Sequence, residues 1–83
     1  MYWVTDAKAL HEYRLWLRFS DGAEGEIDLK AFIESDSRAI VAALRDRAAF
    51  SAIRVEFDTV VWSNGFDLAP EFLRERVQPR IPA

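Results

Sequence analysis

The sequence has 83 residues, of which 51% are hydrophobic and 13% aromatic, with a net charge of −3 and no cysteine. This length indicates a single small domain that buries only ~60–65% of its unfolded surface, so a good aromatic core or self-association is needed for stability. The composition excludes disulfides and thiolate metal sites, and the acidic balance disfavours broad attraction to nucleic acid. Apolar runs are far shorter than the ~20 residues that span a bilayer, and no secretory signal is visible, so we expect a cytoplasmic protein without membrane association.

The first part of the chain predicts three strands. Tyr2 to Leu10 is a candidate strand that ends in a turn at His11-Glu12, and the alternation over 13–19 marks the clearest strand. A three-residue loop, Ser20-Asp21-Gly22, leads into a strand over 23–29. Only this register keeps the apolar side chains together on one face and the charged side chains on the other. Gly22 takes the left-handed position of that turn. The expected pairs are Phe19–Ala23, Leu17–Gly25, Leu15–Ile27 and Tyr13–Leu29 on the inner face, and Arg18–Glu24, Trp16–Glu26 and Arg14–Asp28 on the outer face.

The middle of the chain predicts helix. Asp28 is placed to cap a helical turn over 29–33, and Ser35-Asp36-Ser37 to cap a helix from about Arg38 to Arg47. Phe50 is expected to close this end against the sheet. Helical spacing places four side chains on the buried face of this helix: Ile40, Ala43, Leu44 and Ala48.

A second hairpin is predicted after the helix. Ala52 to Phe57 reads as a strand with Ile53, Val55 and Phe57 facing inward, and Val60 to Trp62 reads as its partner. A turn at Asp58-Thr59 would pair Phe57 with Val60 and Val55 with Trp62, which keeps the apolar faces together.

The segment after Trp62 predicts a turn and a last helix. Asn64-Gly65 is the strongest short-range turn signal in the chain, and Pro70 fits the first turn of a helix. Leu73 and Val77 face the core, with Phe72 beside them. Asp67 is the expected supplier of a capping oxygen, because Ala69 is a poor N-cap. The domain is expected to span 1–78, followed by a loose tail over 79–83.

No residue pattern predicts catalysis or a cofactor. His11 is the only histidine, and it lies in a predicted turn without a nucleophile elbow or metal-ligand spacing. Glu24, Glu26 and Asp28 alternate on one strand face and are expected to form a solvated cross-strand ladder with the facing residues. We therefore expect no catalytic, cofactor-binding or metal-binding residue.

Trp16 is the most informative side chain, because the alternation places it on the outer face of the sheet. Either the loop of the first strand or the C-terminal helix covers it, or it marks a surface for a partner protein or a second copy, flanked by Arg14 and Arg18. Arg54 could join these residues in a nucleic-acid patch with the ring stacking on bases, although neighbouring glutamates would weaken it.

Three segments carry a recognisable pattern: Phe19-Ser20-Asp21-Gly22, Leu44 with Phe50, and Val61-Trp62-Ser63-Asn64-Gly65-Phe66-Asp67-Leu68-Ala69-Pro70-Glu71. Together they resemble the small bacterial "domain of unknown function 2442" family. The resemblance covers roughly Trp3 to Val77, with Ser63 where a proline is common and Ala69 where a serine is common. It implies a compact α+β domain without established enzymatic activity. Similar domains are sometimes joined to a helix-turn-helix domain, for which the present sequence shows no segment, or encoded beside a second small protein in what look like toxin–antitoxin pairs.

The sequence thus predicts an α+β fold: a mainly antiparallel sheet of two β-hairpins plus an N-terminal strand, packed with two helices. We expect a non-enzymatic, protein-binding module, as an antitoxin-like or accessory component of a two-gene system. The alternative is a nucleic-acid-binding regulatory accessory domain. The motif residues are interpreted as structural: Gly22, Trp62, Asn64, Gly65 and Asp67.

Overall fold

A computed structural model describes residues 2–79 of the chain. The elements are β1 (Val4–Leu10), β2 (Arg14–Phe19), β3 (Glu24–Asp28), α1 (Lys30–Ser35), α2 (Ala39–Ala42), α3 (Arg47–Ser51), β4 (Ile53–Glu56), β5 (Thr59–Trp62), α4 (Pro70–Arg76) and β6 (Gln78–Pro79). A 3₁₀ turn (Ala43–Arg45) joins α2 to α3. Four strands form one sheet in the order β1-β2-β3-β6, two strands form a second sheet, β4-β5, and short helices pack with them, which confirms the α+β class.

The hairpin of β2 and β3 has the predicted register. Leu17 lies opposite Gly25 and Trp16 opposite Glu26. Gly22 has a φ of +88°, the left-handed conformation expected of it. The alternation places four side chains of these strands in the core, where each is at most 1% exposed: Leu15, Leu17, Phe19 and Ile27.

Two irregularities mark the edges of this sheet. Strand β1 pairs antiparallel with β2, and the pairing contains a bulge between Val4 and Asp6. At the other edge, the two residues of β6 pair with Gly25 and Glu26 of β3. The rest of the predicted tail, residues 80–83, lies outside the described residues.

The prediction of one helix over 38–47 is wrong. The chain straightens at Asp46, whose ψ is 127°, and its carboxylate accepts the Ala49 N–H at 3.0 Å, so Asp46 caps a new helix, α3. Before the break, Val41 and Leu44 are buried, whereas Ile40 is 39% exposed, so this segment turns a different side to the core than predicted. Of the predicted face, Ala43 and Ala48 are exposed as well, and Leu44 is buried. Phe50 reaches the core, as expected.

The turn of the second hairpin lies one residue earlier than predicted. Phe57 and Asp58 form it with φ of +53° and +66°, the pattern of a type I′ turn. Aspartate tolerates this conformation and β-branched Thr59 does not, so Thr59 joins β5, where its hydroxyl donates to the carbonyl of Leu68. Phe57 is consequently 81% exposed, against the prediction, and Val55 is 38% exposed. The observed pairs are Glu56–Thr59, Val55–Val60, Arg54–Val61 and Ile53–Trp62, in place of Phe57–Val60 and Val55–Trp62.

The Asn64-Gly65 turn and the helix start at Pro70 are confirmed, but the predicted cap is wrong. Gly65 has a φ of +91°, and Pro70 is the first residue of α4. The N-cap position is Ala69, and no side chain bonds to the helix start there. Asp67 lies two residues earlier, where its backbone bridges Val61 of β5, so it is held away from the helix terminus.

Candidate functional site

The outer face of the first sheet brings the three predicted site residues together. Trp16 lies on the central strand β2, with Lys8 of β1 on one side and Glu26 of β3 on the other. Arg14 and Arg18 lie two residues before and after it, so strand alternation projects all three to the same side. We call this surface, centred on Arg14, Trp16 and Arg18, the docking face.

The helices pack on the opposite side of this sheet. Ile33 of α1 and Leu73 of α4 belong to the core cluster that contains the inner-face residue Leu17. Helix α4 therefore does not provide the cover for Trp16 considered above. Trp16 is half-buried, and the guanidinium carbon of Arg18 lies 5.3 Å from its ring centre, in a cation–π arrangement.

Cross-strand ion pairs neutralise the arginines of the docking face. Arg18 contacts Glu24 at 3.3 Å and Asp6 at 3.5 Å, which confirms the ladder predicted at this position. Arg14 contacts Glu26 at 3.4 Å. The side chains of Arg14 and Arg18 are 47% and 48% exposed, so these pairs lie in solvent and each contributes only ~0–1 kcal/mol. The face is thus open and close to electrically neutral.

Arg54 does not join this face. It lies on β4 in the second sheet, and its side chain bonds to Glu56. The four-residue nucleic-acid patch considered from the sequence is therefore not assembled on one sheet face.

Two of the motif residues, Trp62 and Asn64, make contacts that hold the fold together. Trp62 is fully buried, and its indole Nε1 donates to the carbonyl of Phe50 at 2.9 Å. The Asn64 side chain donates to the carbonyl of Ile40 at 2.9 Å and accepts the Phe66 N–H at 3.0 Å. These bonds tie the second hairpin to the helical segment, which gives the motif a folding role.

Arg74 makes a contact that the sequence did not indicate. Its guanidinium donates two hydrogen bonds to the Asp21 carboxylate, at 2.9 and 2.8 Å, and lies 4.8 Å from the ring centre of Tyr2 and 4.9 Å from that of Phe19. The hydrogen bonds from Arg74 lower the pKa of Asp21 below its ordinary value. Arg74 therefore fastens α4 to the turn between β2 and β3.

An open groove of about 970 Å³ lies at the opposite end of that hairpin. We call it the basic groove, because Arg14, Lys30 and Arg47 line it together with His11, against one carboxylate, that of Glu12. His11 is exposed and lies in the turn over 11–13, as predicted. The groove walls come from three separate segments: the turn and adjoining strand ends, the start of α1, and α3. No local pattern in the sequence predicts such a convergence.

The described residues contain neither a metal-binding cluster nor a membrane-spanning helix. Within residues 2–79, no three histidine, aspartate or glutamate side chains come together in a way that could hold a metal ion. In the same range, each helix is too short or too polar to cross a membrane.

The fold and the docking face define a small α+β domain with two hairpins and a partly exposed tryptophan on the open side of its larger sheet. Residues 4–79 match the model of a family described as "Protein of unknown function (DUF2442)", and the chain belongs to this family. The resemblance drawn from the sequence is thereby confirmed. A comparison with curated proteins finds no match.

One solved structure has a similar fold. It is the crystal structure of the "putative DNA binding protein" NE0471 from Nitrosomonas europaea, with a TM-score of 0.76 and 22% sequence identity. The match covers 94% of this chain and 50% of that chain, so the present sequence corresponds to about half of the neighbour's length. At this identity the likeness shows a shared fold.

Proposed function

We propose that this domain is a non-enzymatic protein-binding module that docks a partner protein, or a second copy, through the docking face. The observation that carries the proposal is the half-buried Trp16 at the centre of an open sheet face whose arginines are already ion-paired. Tryptophan and arginine are the residues most enriched among the energetic anchors of protein interfaces. The neutral surroundings suit burial against a protein, because few unpaired charges would lose their water.

The same ion pairs disfavour nucleic acid on this face. Binding to a phosphate backbone depends on arginines and lysines that release counterions, and here Arg14 and Arg18 already share their charge with carboxylates. The family resemblance supports a setting in which the domain is an antitoxin-like or accessory component of a cytoplasmic two-gene system, and its partner is the product of the neighbouring gene.

The test is a Trp16→Ala variant assayed for binding. The tagged domain is titrated with the purified product of the neighbouring gene, and its own association is followed by sedimentation. Removal of an interface anchor typically costs at least ~2 kcal/mol, so the affinity should fall about thirtyfold. Phe57→Ala is the matched control, because Phe57 is 81% exposed and lies in the turn between β4 and β5, in the second sheet.

Any of three results would refute the docking face. If Trp16→Ala unfolds the domain in circular dichroism, Trp16 is a core residue. If the variant folds and binds as tightly as the parent, or if Phe57→Ala weakens binding equally, the tryptophan is not the anchor.

The second candidate function is a nucleic-acid-binding regulatory accessory. It is favoured by the description of NE0471, whose fold this chain shares over half of that protein. A gel-shift titration of the isolated domain at several salt concentrations tests it, since phosphate binding weakens steeply with salt. The absence of any shift at low salt would remove this candidate.

A further inference from the structure

We propose that the basic groove binds a small phosphorylated ligand of about nucleotide size. This site adjoins the docking face, with which it shares Arg14, but the proposal does not depend on protein docking. Its starting point is a local excess of cations: the chain as a whole carries −3, yet Lys30 and Arg47 converge with Arg14, which also pairs with Glu26, on one concavity lined by a single carboxylate, Glu12. Such a concentration of cations favours an anion with several charges.

Lys30 and Arg47 are available to a ligand. Both side chains are exposed, and neither makes an ion pair with another residue in the range 2–79. Each is also the first residue of a short helix, where acidic side chains are preferred and basic ones are disfavoured. Local stability therefore does not explain these two cations.

The groove wall also contains unusual backbone. Glu12 and Tyr13, in the turn between β1 and β2, have φ of +58° and +61°, a left-handed conformation that non-glycine residues rarely adopt. Backbone of this kind persists where the surroundings hold it, and it is concentrated at binding sites. Two contacts hold Tyr13 in place. Its hydroxyl donates to the Arg45 carbonyl at 2.5 Å, and its ring makes an edge-to-face contact with that of Phe50, with 5.3 Å between the ring centres.

The lining matches a small phosphorylated molecule better than a long polyanion. Small-molecule sites typically have volumes of ~300–1,000 Å³ and combine apolar walls with a few convergent polar groups. The groove, at about 970 Å³, has apolar walls from Leu10, Tyr13 and Phe50 and a basic rim that can donate several charge-assisted hydrogen bonds to phosphate oxygens. Three cations are too few for the backbone of a long nucleic acid, whose affinity grows with the number of phosphates neutralised.

Isothermal titration calorimetry tests the proposal with ATP, inorganic triphosphate and a twelve-residue single-stranded oligonucleotide as probes. We expect ATP to bind the wild-type chain, and inorganic triphosphate to bind through the same cations. Arg47→Glu should weaken both by at least about tenfold, because a hydrogen bond to a charged group contributes ~1.5–3 kcal/mol and the reversal adds repulsion. Lys30→Glu should do the same.

Arg76→Glu is the matched control. Arg76 is exposed on α4, outside the groove lining, and its reversal changes the net charge by the same amount as that of Arg47. It should leave the affinity for ATP within twofold. The groove variants should fold normally, since glutamate suits the first residue of a helix; circular dichroism verifies this.

The proposal is overturned if neither ATP nor triphosphate binds at low salt. It is equally overturned if Arg76→Glu weakens binding as much as Arg47→Glu, or if only the oligonucleotide binds. None of these results bears on Trp16, so the groove proposal and the docking-face proposal can fail independently of each other.

Discussion

Replacing Phe57 by asparagine is expected to stabilise the domain. Phe57 occupies the turn between β4 and β5 with a φ of +53°, and its side chain is 81% exposed. The left-handed conformation costs an ordinary L-residue roughly 1–2 kcal/mol, whereas asparagine adopts it readily. Little apolar burial is lost with a ring so exposed. The free energy of unfolding should therefore rise by about 1 kcal/mol, which raises Tm by ~4–8 °C in a domain of this size.

Phe57→Ala is the control that separates the backbone from the ring. Alanine removes the same exposed ring but keeps a Cβ and hence the strain, so its stability should stay within ~0.5 kcal/mol of the wild type. Thermal and urea unfolding followed by circular dichroism measure both variants. The reasoning fails if Phe57→Asn leaves Tm unchanged or lowers it, or if Phe57→Ala stabilises as much, since the ring would then be responsible.

Trp62→Phe should lower the free energy of unfolding by about 2–4 kcal/mol, because a smaller ring leaves a cavity and a buried carbonyl loses its indole donor; a loss below ~1 kcal/mol in urea would contradict this. Gly65→Ala should cost about 1–2 kcal/mol although nothing lies within 4 Å of the added Cβ, since φ is +91°, and an unchanged melt would exclude backbone strain there. The hydrogen bond from Arg74 lowers the pKa of Asp21 below its ordinary value. Ionised Asp21 therefore stabilises the fold above the ordinary pKa of an aspartate, and this stability is lost as the pH falls through the lowered pKa of the folded state. Asp21→Asn should therefore lose less stability than the wild type on acidification from about pH 5 to pH 2, and equal losses would show that the pair contributes nothing.

The fold could be predicted where both faces of an element have a distinctive pattern of apolar or charged residues. In the β2–β3 hairpin the apolar pattern and the charge pattern agree on one register, and a slip by one residue would break both. The helix over 38–47 lacked this constraint, because its many alanines are compatible with several faces and Asp46 reads equally well as a surface residue or as a cap. The turn at Phe57 could not be predicted from propensity, since an aromatic residue rarely takes a positive φ.

The docking face could be placed from the sequence, because Arg14, Trp16 and Arg18 lie on one strand and alternation alone aligns them. The other two features depend on contacts between distant segments. Asp21 and Arg74 are 53 residues apart, and the basic groove collects its cations from a strand and two helices. Such arrangements arise from tertiary packing, so they cannot be predicted from the spacing of residues along the chain.

The two irregular edges of the larger sheet restrict how another chain can attach. Strand β1 is bulged near its start, and β6 is two residues long and ends at Pro79, which has no backbone N–H to donate. Bulges, short edge strands and prolines all protect a sheet from edge-to-edge aggregation. Extension of this sheet by β-augmentation is therefore disfavoured at β6 and at the start of β1. Protein docking as proposed above would depend on side chains presented by a face, and it would be sensitive to single substitutions.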